Sequence, residues 1–572
     1  MSMTVNESAL AKYEEWLSDP SIDETTKAEL RGIAGNESEI VDRFYRDLEF
    51  GTGGLRGVMG AGTNRLNAYT VGKATQGLSD WVLSQGEANP SVVIAHDSRN
   101  NSPEFALDAA RVLAANGIKA YLFPSLRPTP QLSFSVRALK ATAGIVITAS
   151  HNPPEYNGYK AYNKDGCQLV PHEAEQAIEK MKQVASFGQV RTVSRERAEA
   201  DGLLQWLGQA EDDRFVDTVA ACSLNPELLK GGLGERVAVV FTPLHGSGNV
   251  PVRSVLAKAG FRNVHIVPEQ EQPDGYFSTV KSPNPEEREA FTMAIELAMQ
   301  ADADIIIGTD PDADRMGAVV KNNRGEYVVL SGNQSGALMV YYTLSQLKEK
   351  GRLPANGIVV KTIVTSEMGA DIARSFGVDV ANTLTGFKYI GEKMTQYEAT
   401  GERTFLFGYE ESYGYLTGGY ARDKDAVVAS LLICEAAAYY KDQGKTLYDV
   451  LLELYAQYGT YLESLQSRTL KGLDGVQKIG AIMEDWRSNP PGEIAGVKVE
   501  SVLDYSAGLN GLPPENVLKY RLADGSWFCL RPSGTEPKIK VYFAVRGQSQ
   551  QDASSALEQL ATVVMNRVDQ QA

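Results

Sequence analysis

The sequence predicts an α/β protein of several domains, on three observations. The chain has 572 residues, and at roughly 150 residues per domain we expect about four domains. From about residue 90 onward, β-like runs alternate with helix-like runs, which is typical of a largely parallel sheet. Four β-like runs end in polar loops that contain glycine or proline. Because ligands bind outside the carboxyl ends of strands in open α/β sheets, we expect these loops to converge on one cleft.

The predicted elements follow in order along the chain. Residues 7–48 carry apolar side chains at helical spacing, such as Leu10, Tyr13 and Trp16, and predict N-terminal helices. Three rounds of strands and helices follow, around AGIVITAS, around RVAVVFTPLHGSG with DIIIGTDPDADR, and around RTFLFGYEES. The C-terminal part predicts two strands around WFCLRPSGTEPKIKVYFAV and a closing helix, DASSALEQLATVVMNRV. We expect domains at residues 1–208, 209–325, 326–465 and 466–572.

Composition excludes several classes of partner. Apolar residues make up 43% of the chain and charged residues 22%, which is typical of a soluble globular protein. The net charge of −16 argues against nucleic acid, whose binding requires a basic face. The four cysteines are scattered without a CxxC pair, the first residues are acidic, and Glu435 interrupts the longest apolar stretch. We therefore expect a cytoplasmic protein with neither a secretory signal nor a membrane span.

The segment DPDADR predicts a metal site. It places Asp310, Asp312 and Asp314 at alternate positions, and three carboxylates so close repel one another unless a cation lies among them. Mg²⁺ prefers such oxygen ligands. An EF-hand is excluded, because its sixth and twelfth positions would fall on Arg315 and Lys321 rather than on glycine and glutamate. The alternative is a solvated acidic turn.

Two glycine-containing segments predict contacts with an anion. RPSGTEP combines the guanidinium of Arg531 with the hydroxyls of Ser533 and Thr535, and Gly534 lets backbone N–H groups approach. GTGGLRG fits neither the dinucleotide fingerprint nor the P-loop, but it suits a segment that brings Arg56 against an anion. The alternatives are a plain hairpin and a plain turn.

The segment GYEESYG predicts contacts with sugar hydroxyls. Glu410 and Ser412 are two positions apart, so they face the same side of an extended loop. A carboxylate accepts hydrogen bonds from hydroxyls, and a serine both donates and accepts them. The alternative is an acidic surface loop.

The segment ITASHNPPEYNGYKAY places Ser150 at the tip of a predicted strand. It is not a hydrolase nucleophile elbow, and we expect His151 to point away from Ser150, because neighbours on an extended chain face opposite sides. A serine beside a divalent cation can instead carry a phosphoryl group, with Lys160 as a proton carrier. Together with the acidic loop and the anion-binding segment, it predicts phosphoryl transfer.

These motifs, in this order, resemble the α-D-phosphohexomutase family over about residues 51–541. LRPTPQLSFSVR, TPLHGSG and the chain length are most similar to its longer phosphoglucomutase and phosphopentomutase-like branch. Two positions differ: Tyr409 separates Gly408 from Glu410, and Phe387 stands where glucose-specific relatives often carry tryptophan. The resemblance implies three similar α/β domains with mixed sheets and a smaller C-terminal α+β domain around a central cleft.

The resemblance also implies roles for individual residues. Ser150 would be the phosphoserine and would bind Mg²⁺ together with Asp310, Asp312 and Asp314. Lys160 would be a general acid or base, and His151, Arg56 and Arg315 would complete the catalytic group. The implied substrate-binding residues are Thr385, Gly386, Glu410, Ser412, Lys424, Arg531, Ser533, Gly534 and Thr535.

The implied activity is the interconversion of α-D-glucose 1-phosphate and glucose 6-phosphate, through a glucose 1,6-bisphosphate intermediate. A phosphomannomutase, a phosphopentomutase, a sugar-bisphosphate synthase and a metal-dependent phosphatase remain alternatives. A catalytically silent binding protein is a further one, against which the intact Ser150, Lys160 and aspartate triplet argue.

Overall fold

The computed structural model describes residues 5–51, 53–470, 473–533 and 538–570. As predicted, the chain begins with helices: α1 (Val5–Ser18), α2 (Glu24–Gly32) and α3 (Glu37–Phe44). Their apolar faces form a separate cluster, in which the Trp16 ring packs edge-on against Phe44, Tyr69 and Phe187. This aromatic cluster attaches the helices to the first sheet domain.

The first sheet has six strands in the order β1-β5-β4-β2-β3-β6. Strand β2 pairs in parallel with β3 and β4, whereas β5 is antiparallel to both β4 and β1, so the sheet is mixed. The elements are β1 (Gly54–Val58), α4 (Ala68–Ser84), β2 (Ser91–His96), α5 (Ser102–Ala115), β3 (Lys119–Leu122), α6 (Thr129–Ala138), β4 (Ala143–Ile147), β5 (Tyr156–Asn163), α7 (Pro171–Gln183), a 3₁₀ turn (Phe187–Gln189), α8 (Arg195–Ala200) and β6 (Leu204–Trp206).

Strand β1 carries the GTGGLRG segment to the edge of this sheet. In the β1–β5 register, Arg56 lies opposite Gly158 and Gly54 lies opposite Lys160. A Cβ atom on Gly54 would lie 2.2 Å from the carbonyl oxygen of Tyr159, so only glycine permits this close pairing. The pairing brings Arg56 and Lys160 to the same side of the molecule as the loop after β4.

The second sheet has five strands in the order β11-β10-β9-β7-β8 and is also mixed. Strand β9 is buried along its whole length and leads directly into DPDADR. The elements are α9 (Gln209–Ala220), α10 (Pro226–Leu228), a π turn (Leu229–Leu233), a 3₁₀ turn (Gly234–Arg236), β7 (Val239–Thr242), α11 (Asn249–Ala259), β8 (Val264–Ile266), α12 (Pro268–Glu271), a 3₁₀ turn (Arg288–Phe291), α13 (Thr292–Ala301), β9 (Ile305–Thr309), β10 (Met316–Lys321) and β11 (Tyr327–Val329).

The third sheet has four strands in the order β13-β12-β14-β15. Its first three strands are parallel, and β15 is antiparallel to β14, so the turn between them is formed by residues 410–414. The elements are α14 (Gly332–Glu349), β12 (Gly357–Thr362), α15 (Met368–Ser375), β13 (Asp379–Thr383), α16 (Phe387–Thr400), β14 (Thr404–Tyr409), β15 (Tyr415–Leu416), α17 (Ala426–Asp442) and α18 (Leu447–Tyr458).

The fourth sheet is antiparallel throughout, in the order β16-β21-β20-β19-β18-β17. The elements are β16 (Thr460–Thr469), α19 (Leu473–Ser488), β17 (Glu493–Ile494), β18 (Val497–Asp504), β19 (Leu518–Leu522), β20 (Trp527–Pro532), β21 (Lys538–Gly547) and α20 (Gln550–Asp569). The predicted fold class, three mixed sheets and a C-terminal α+β domain, is confirmed.

The domain boundaries stay predictions. Strand β11 joins the second sheet although it lies beyond residue 325, and β16 joins the fourth sheet although it begins before residue 466.

Buried contacts hold the domains around the cleft. The second and third domains share one apolar cluster, and a second cluster joins the third domain to the fourth through residues such as Ile363 and Trp527. Tyr162 on β5 donates a hydrogen bond to Asp423 at 2.7 Å and so links the first domain to the third. No helix within the described parts of the chain is long and apolar enough to cross a membrane.

Candidate active site

A cleft of about 700 Å³ lies between the four sheets. Its lining includes Arg56 and His151 from the first domain and Arg315 from the second. The third domain contributes Thr385, Gly386, Glu410, Ser412 and Lys424, and the fourth contributes Arg531. The cleft therefore contains residues from each of the polar loops that the sequence analysis identified.

Ser150 lies three residues beyond β4, next to the cleft-lining residue His151, and is 3% exposed. Its Oγ donates a hydrogen bond to Oδ2 of Asp310 at 2.7 Å. The expectation that His151 points away from Ser150 is wrong. Ser150 has φ 52°, so the chain is left-handed rather than extended there, and Nδ1 of His151 lies 3.2 Å from Ser150 Oγ. Burial lowers the pKa of His151 well below its usual value, and nearby Arg315 and Arg56 act in the same direction.

The three aspartates come together as the sequence predicts, because β9 ends at Thr309 and a tight loop follows. All three side chains are buried, and one carboxylate oxygen from each lies within 4.8 Å of the others. Asp310 Oδ1 accepts hydrogen bonds from the backbone N–H groups of Asp314 and Arg315, at 3.1 and 3.0 Å. These bonds hold the loop in a tight turn around Asp310, its first residue.

Two lysines balance the charge of this cluster. Lys160 donates to Oδ2 of Asp312 at 2.9 Å and to Oδ2 of Asp314 at 3.2 Å, and Lys424 lies 2.9 Å from Asp314 Oδ2. Burial alone would lower the pKa of Lys160, but Asp312 and Asp314 raise it overall, so the ammonium form is favoured. Burial and the two other carboxylates raise the pKa of Asp310 well above its usual value.

The residues expected to hold the sugar lie on the third domain. Glu410 is 5% exposed, and its Oε1 accepts a hydrogen bond from the backbone N–H of Gly386 at 3.0 Å. Burial raises the pKa of the Glu410 carboxyl to about 7, although Lys424 acts against this shift. The Thr385 hydroxyl is buried and has no hydrogen-bond partner among the described residues. Ser412 lines the cleft two positions after Glu410.

Arg531 reaches the cleft from the end of β20 in the fourth domain. Its Nε donates to Glu515 at 2.9 Å. Ser533 follows β20, and its backbone N–H donates to the carbonyl of Lys538 at 2.7 Å. Gly534 and Thr535 lie outside the described residues. Across the cleft, Arg56 donates to Asn152 of the Ser150 loop at 3.2 Å.

Four family models match the chain. They describe the alpha/beta/alpha domains I, II and III and the C-terminal domain of phosphoglucomutase/phosphomannomutase, and they match residues 47–188, 213–325, 331–458 and 473–562. The chain belongs to the phosphoglucomutase/phosphomannomutase family. It is therefore a phosphohexose mutase, an isomerase of the intramolecular phosphotransferase class.

Individual members of this family are similar over most of the chain. The phosphoglucomutase of Staphylococcus haemolyticus is 39% identical over 517 residues, which cover 88% of this chain and 91% of that protein. The fold is shared with pp63/parafusin, a phosphoglucomutase from Paramecium (TM-score 0.69, 18% identity, 92% and 95% of the two chains). A phosphoglucomutase/phosphomannomutase family protein from Burkholderia thailandensis has a TM-score of 0.66 at 19% identity, over 91% and 97% of the two chains.

The family is magnesium-dependent, and the aspartate cluster fits such an ion. The Oδ1 atoms of Asp312 and Asp314 are buried and have no hydrogen-bond partner in the described chain. A carboxylate oxygen buried in this way costs free energy unless a cation or a donor contacts it. Together with Asp310, these atoms offer the carboxylate ligands that Mg²⁺ prefers.

Sequence reasoning missed several charged residues of this site, among them Arg99, Glu411 and Lys540. Arg99 is fully buried and donates to the carbonyl oxygens of Ser150, Asn152, Pro153 and Tyr156 at 2.5 to 2.9 Å, so it shapes the serine loop. Glu411 is half-buried, lines the cleft and accepts a hydrogen bond from the Thr365 hydroxyl at 3.1 Å. Lys540 also lines the cleft and lies opposite Arg531 in the β20–β21 register. The alternation of lysine with apolar residues in KIKV, residues 538–541, was the sequence signal that could have indicated Lys540.

Proposed function

We propose that the protein interconverts α-D-glucose 1-phosphate and glucose 6-phosphate, with phosphorylated Ser150 as donor and glucose 1,6-bisphosphate as intermediate. The observation that carries this proposal is the contact between Ser150 Oγ and Asp310 beside two further buried aspartates, at one side of a cleft that also contains Arg531. Glucose as the sugar is supported by the phosphoglucomutase at 39% identity.

The chemistry at the Ser150 end is a phosphoryl transfer. The bond between Ser150 Oγ and phosphorus breaks, a bond from the sugar hydroxyl oxygen to phosphorus forms, and the hydroxyl loses its proton. Lys160 contacts Asp312 and Asp314 and would act as the general acid or base for this proton. Asp310, Asp312, Asp314 and the phosphoserine would hold Mg²⁺, which supplies neutralisation of charge on the phosphoryl oxygens. Around the phosphoserine and the aspartates lie a neutral imidazole, His151, and two cationic side chains, Arg56 and Arg315.

The other side of the cleft would hold the phosphate that does not react. Arg531 offers a planar set of donors to a phosphate, and Ser533, Gly534 and Thr535 are proposed to complete this contact. Glu410, Ser412, Thr385, Gly386 and Lys424 would contact the sugar. The bisphosphate must turn around between the two transfers, because each phosphate has to reach Ser150 in its turn.

We further propose a cytoplasmic location. All four cysteines are free thiols, three of them buried, which suits a reducing compartment.

A side-by-side assay tests the choice of sugar. The 1-phosphates of glucose, mannose, glucosamine and ribose would be compared by kcat/KM with one preparation of the enzyme. We expect the highest value with glucose 1-phosphate. A higher value with mannose or ribose 1-phosphate would overturn glucose as the substrate, and release of free phosphate would indicate a phosphatase instead.

A further inference from the structure

The LRPTP segment contacts the metal loop, although no residue of it has a role in the proposed function. The backbone N–H of Thr129 donates to the carbonyl oxygen of Asp312 at 2.8 Å. The Thr129 hydroxyl donates to Oδ2 of the same aspartate at 3.0 Å. Both residues have no exposed surface, and 183 positions separate them in the sequence. One threonine of the first domain thus holds both the backbone and the side chain of a proposed metal ligand in the second.

The hydroxyl fixes which carboxylate oxygen remains for a cation. Oδ2 of Asp312 accepts from Thr129 and from Lys160, at 3.0 and 2.9 Å. Oδ1 is the remaining oxygen, and it is buried without a hydrogen-bond partner among the residues that the structure describes. If Oδ2 lost its hydroxyl donor, Lys160 alone would hold it, and the carboxylate plane could turn away from the orientation that points Oδ1 at the cation. The Thr129 contact therefore selects one rotamer of the ligand.

Thr129 is itself held in place by contacts outside the cleft. It is the first residue of the ten-residue helix α6, whose N-terminus favours a nearby negative charge. Arg127 makes a two-pronged ion pair with Asp212 of α9, at 2.7 and 2.9 Å, and Gln131 donates to the same carboxylate at 2.6 Å. These contacts anchor both sides of Thr129 to the second domain.

The opposite side of the metal loop is fixed in a similar way. The backbone N–H and the hydroxyl of Ser247, in TPLHGSG, both donate to the carbonyl oxygen of Pro311, at 2.8 and 2.9 Å. Because the backbone is held at Pro311 and at Asp312, the torsion angles of the Asp312 side chain are what can still change at this position. The Thr129 hydroxyl restricts that freedom.

We propose that Thr129 is a positioning residue of the metal site, whose hydroxyl orients Asp312 so that Oδ1 faces the cation. This inference rests on the proposed role of the aspartates as metal ligands. Outer-shell partners of ligating carboxylates typically contribute 10- to 100-fold to metal affinity. We therefore expect Thr129→Val, which keeps the shape and removes the hydroxyl, to weaken metal binding by about 10-fold or more.

The test measures metal binding directly. Mn²⁺ would be titrated into protein freed of metal by chelation, and free Mn²⁺ would be followed by electron paramagnetic resonance. We expect Thr129→Ser to bind within about threefold of the wild type, because its hydroxyl restores the contact. Thr129→Ala should bind as weakly as Thr129→Val, and it serves as the second hydroxyl-free variant should the valine variant fold poorly. Circular dichroism and thermal unfolding would verify that each variant is folded.

Thr75→Val is the matched control. Thr75 is a buried threonine of α4 whose hydroxyl donates to the carbonyl of Val71 at 2.8 Å, away from the cleft. It should bind Mn²⁺ like the wild type. Wild-type affinity for Mn²⁺ in both Thr129→Val and Thr129→Ala would overturn the positioning role. Weak binding by Thr129→Ser or by Thr75→Val would overturn it as well. In each case the metal site itself would stand. Failure of the wild type to bind Mn²⁺ would overturn the proposed metal site, and this inference with it.

Discussion

Ser150 Oγ lies 2.7 Å from the carboxylate of Asp310, although 160 positions separate the two residues. The contact joins a loop of the first sheet to a loop of the second, and both side chains are buried. Once the serine is phosphorylated, its phosphate and the Asp310 carboxylate would hold one metal ion together. The following predictions test this arrangement and the residues around it.

Replacing Ser150 by alanine should abolish mutase turnover, with a loss of more than about 1,000-fold in kcat. The variant lacks the oxygen that carries the phosphoryl group, and the catalytic cycle cannot proceed without that carrier. A coupled assay for glucose 6-phosphate measures turnover, and intact-mass spectrometry measures covalent phosphate. Ser79→Ala, in which a buried helical serine is lost, should remain active. Near-normal turnover of pure Ser150→Ala would contradict the phosphoserine.

Replacing Arg531 by alanine should mainly weaken substrate binding. We expect KM to rise by about 10- to 100-fold, since a charge-assisted hydrogen bond to phosphate contributes roughly 1.5–3 kcal/mol. Arg521 lies on β19 of the same domain and is exposed, so Arg521→Ala should leave KM unchanged. Steady-state kinetics with glucose 1-phosphate would show the difference. An unchanged KM in Arg531→Ala would count against the phosphate contact.

The sequence was most informative where one short segment forms the whole feature. Asp310, Asp312 and Asp314 could be predicted as a cluster because their spacing alone brings them together. His151 could not be placed correctly, because the left-handed backbone at Ser150 turns the chain and residue type does not reveal that turn. Arg99 pairs with Asp97, but its contacts with the serine loop are to backbone carbonyls. Every loop has carbonyls, so no sequence pattern indicates this partner. Thr129 meets Asp312 only through the packing of two domains.

Replacing Glu435 by alanine should destabilise the fold without touching the cleft. This buried carboxylate of α17 accepts hydrogen bonds from the hydroxyls of Ser223 and Tyr342 and from the N–H groups of Leu224 and Asn225. Removing it leaves buried donors unpaired, which should cost about 3 kcal/mol or more in the free energy of unfolding. Urea denaturation followed by circular dichroism would measure this cost.

The control for this stability test is Glu453→Ala. Glu453 pairs with Lys445 on the surface at 2.7 Å, and exposed pairs contribute little to stability. Its urea midpoint should therefore stay close to that of the wild type. Equal midpoints for Glu435→Ala and the wild type would show that the buried carboxylate does not hold the second domain to the third.

The pKa of Glu410 predicts how activity depends on pH. Burial raises this pKa to about 7, so the carboxyl is neutral below pH 7 and ionised above it. The ionised form is the better acceptor for sugar hydroxyls, and we therefore expect kcat/KM to rise as the pH increases through about 7. Stability changes in the opposite direction. The folded chain keeps a proton on Glu410 that the unfolded chain releases near pH 4.5. The contribution of this carboxyl to the free energy of unfolding is therefore lost as the pH rises from about 4.5 to 7.

Two variants separate Glu410 from a second carboxyl in the same cleft. Burial also raises the pKa of Glu463, on β16, to about 7. In Glu410→Gln the rise of kcat/KM near pH 7 should disappear, because the amide does not ionise, whereas Glu463→Gln should keep it. The measurement is a pH profile of kcat/KM with glucose 1-phosphate for the wild type and both variants. If the rise persists in Glu410→Gln and disappears in Glu463→Gln, the group that titrates is Glu463 on β16 and not Glu410 in the sugar-binding loop.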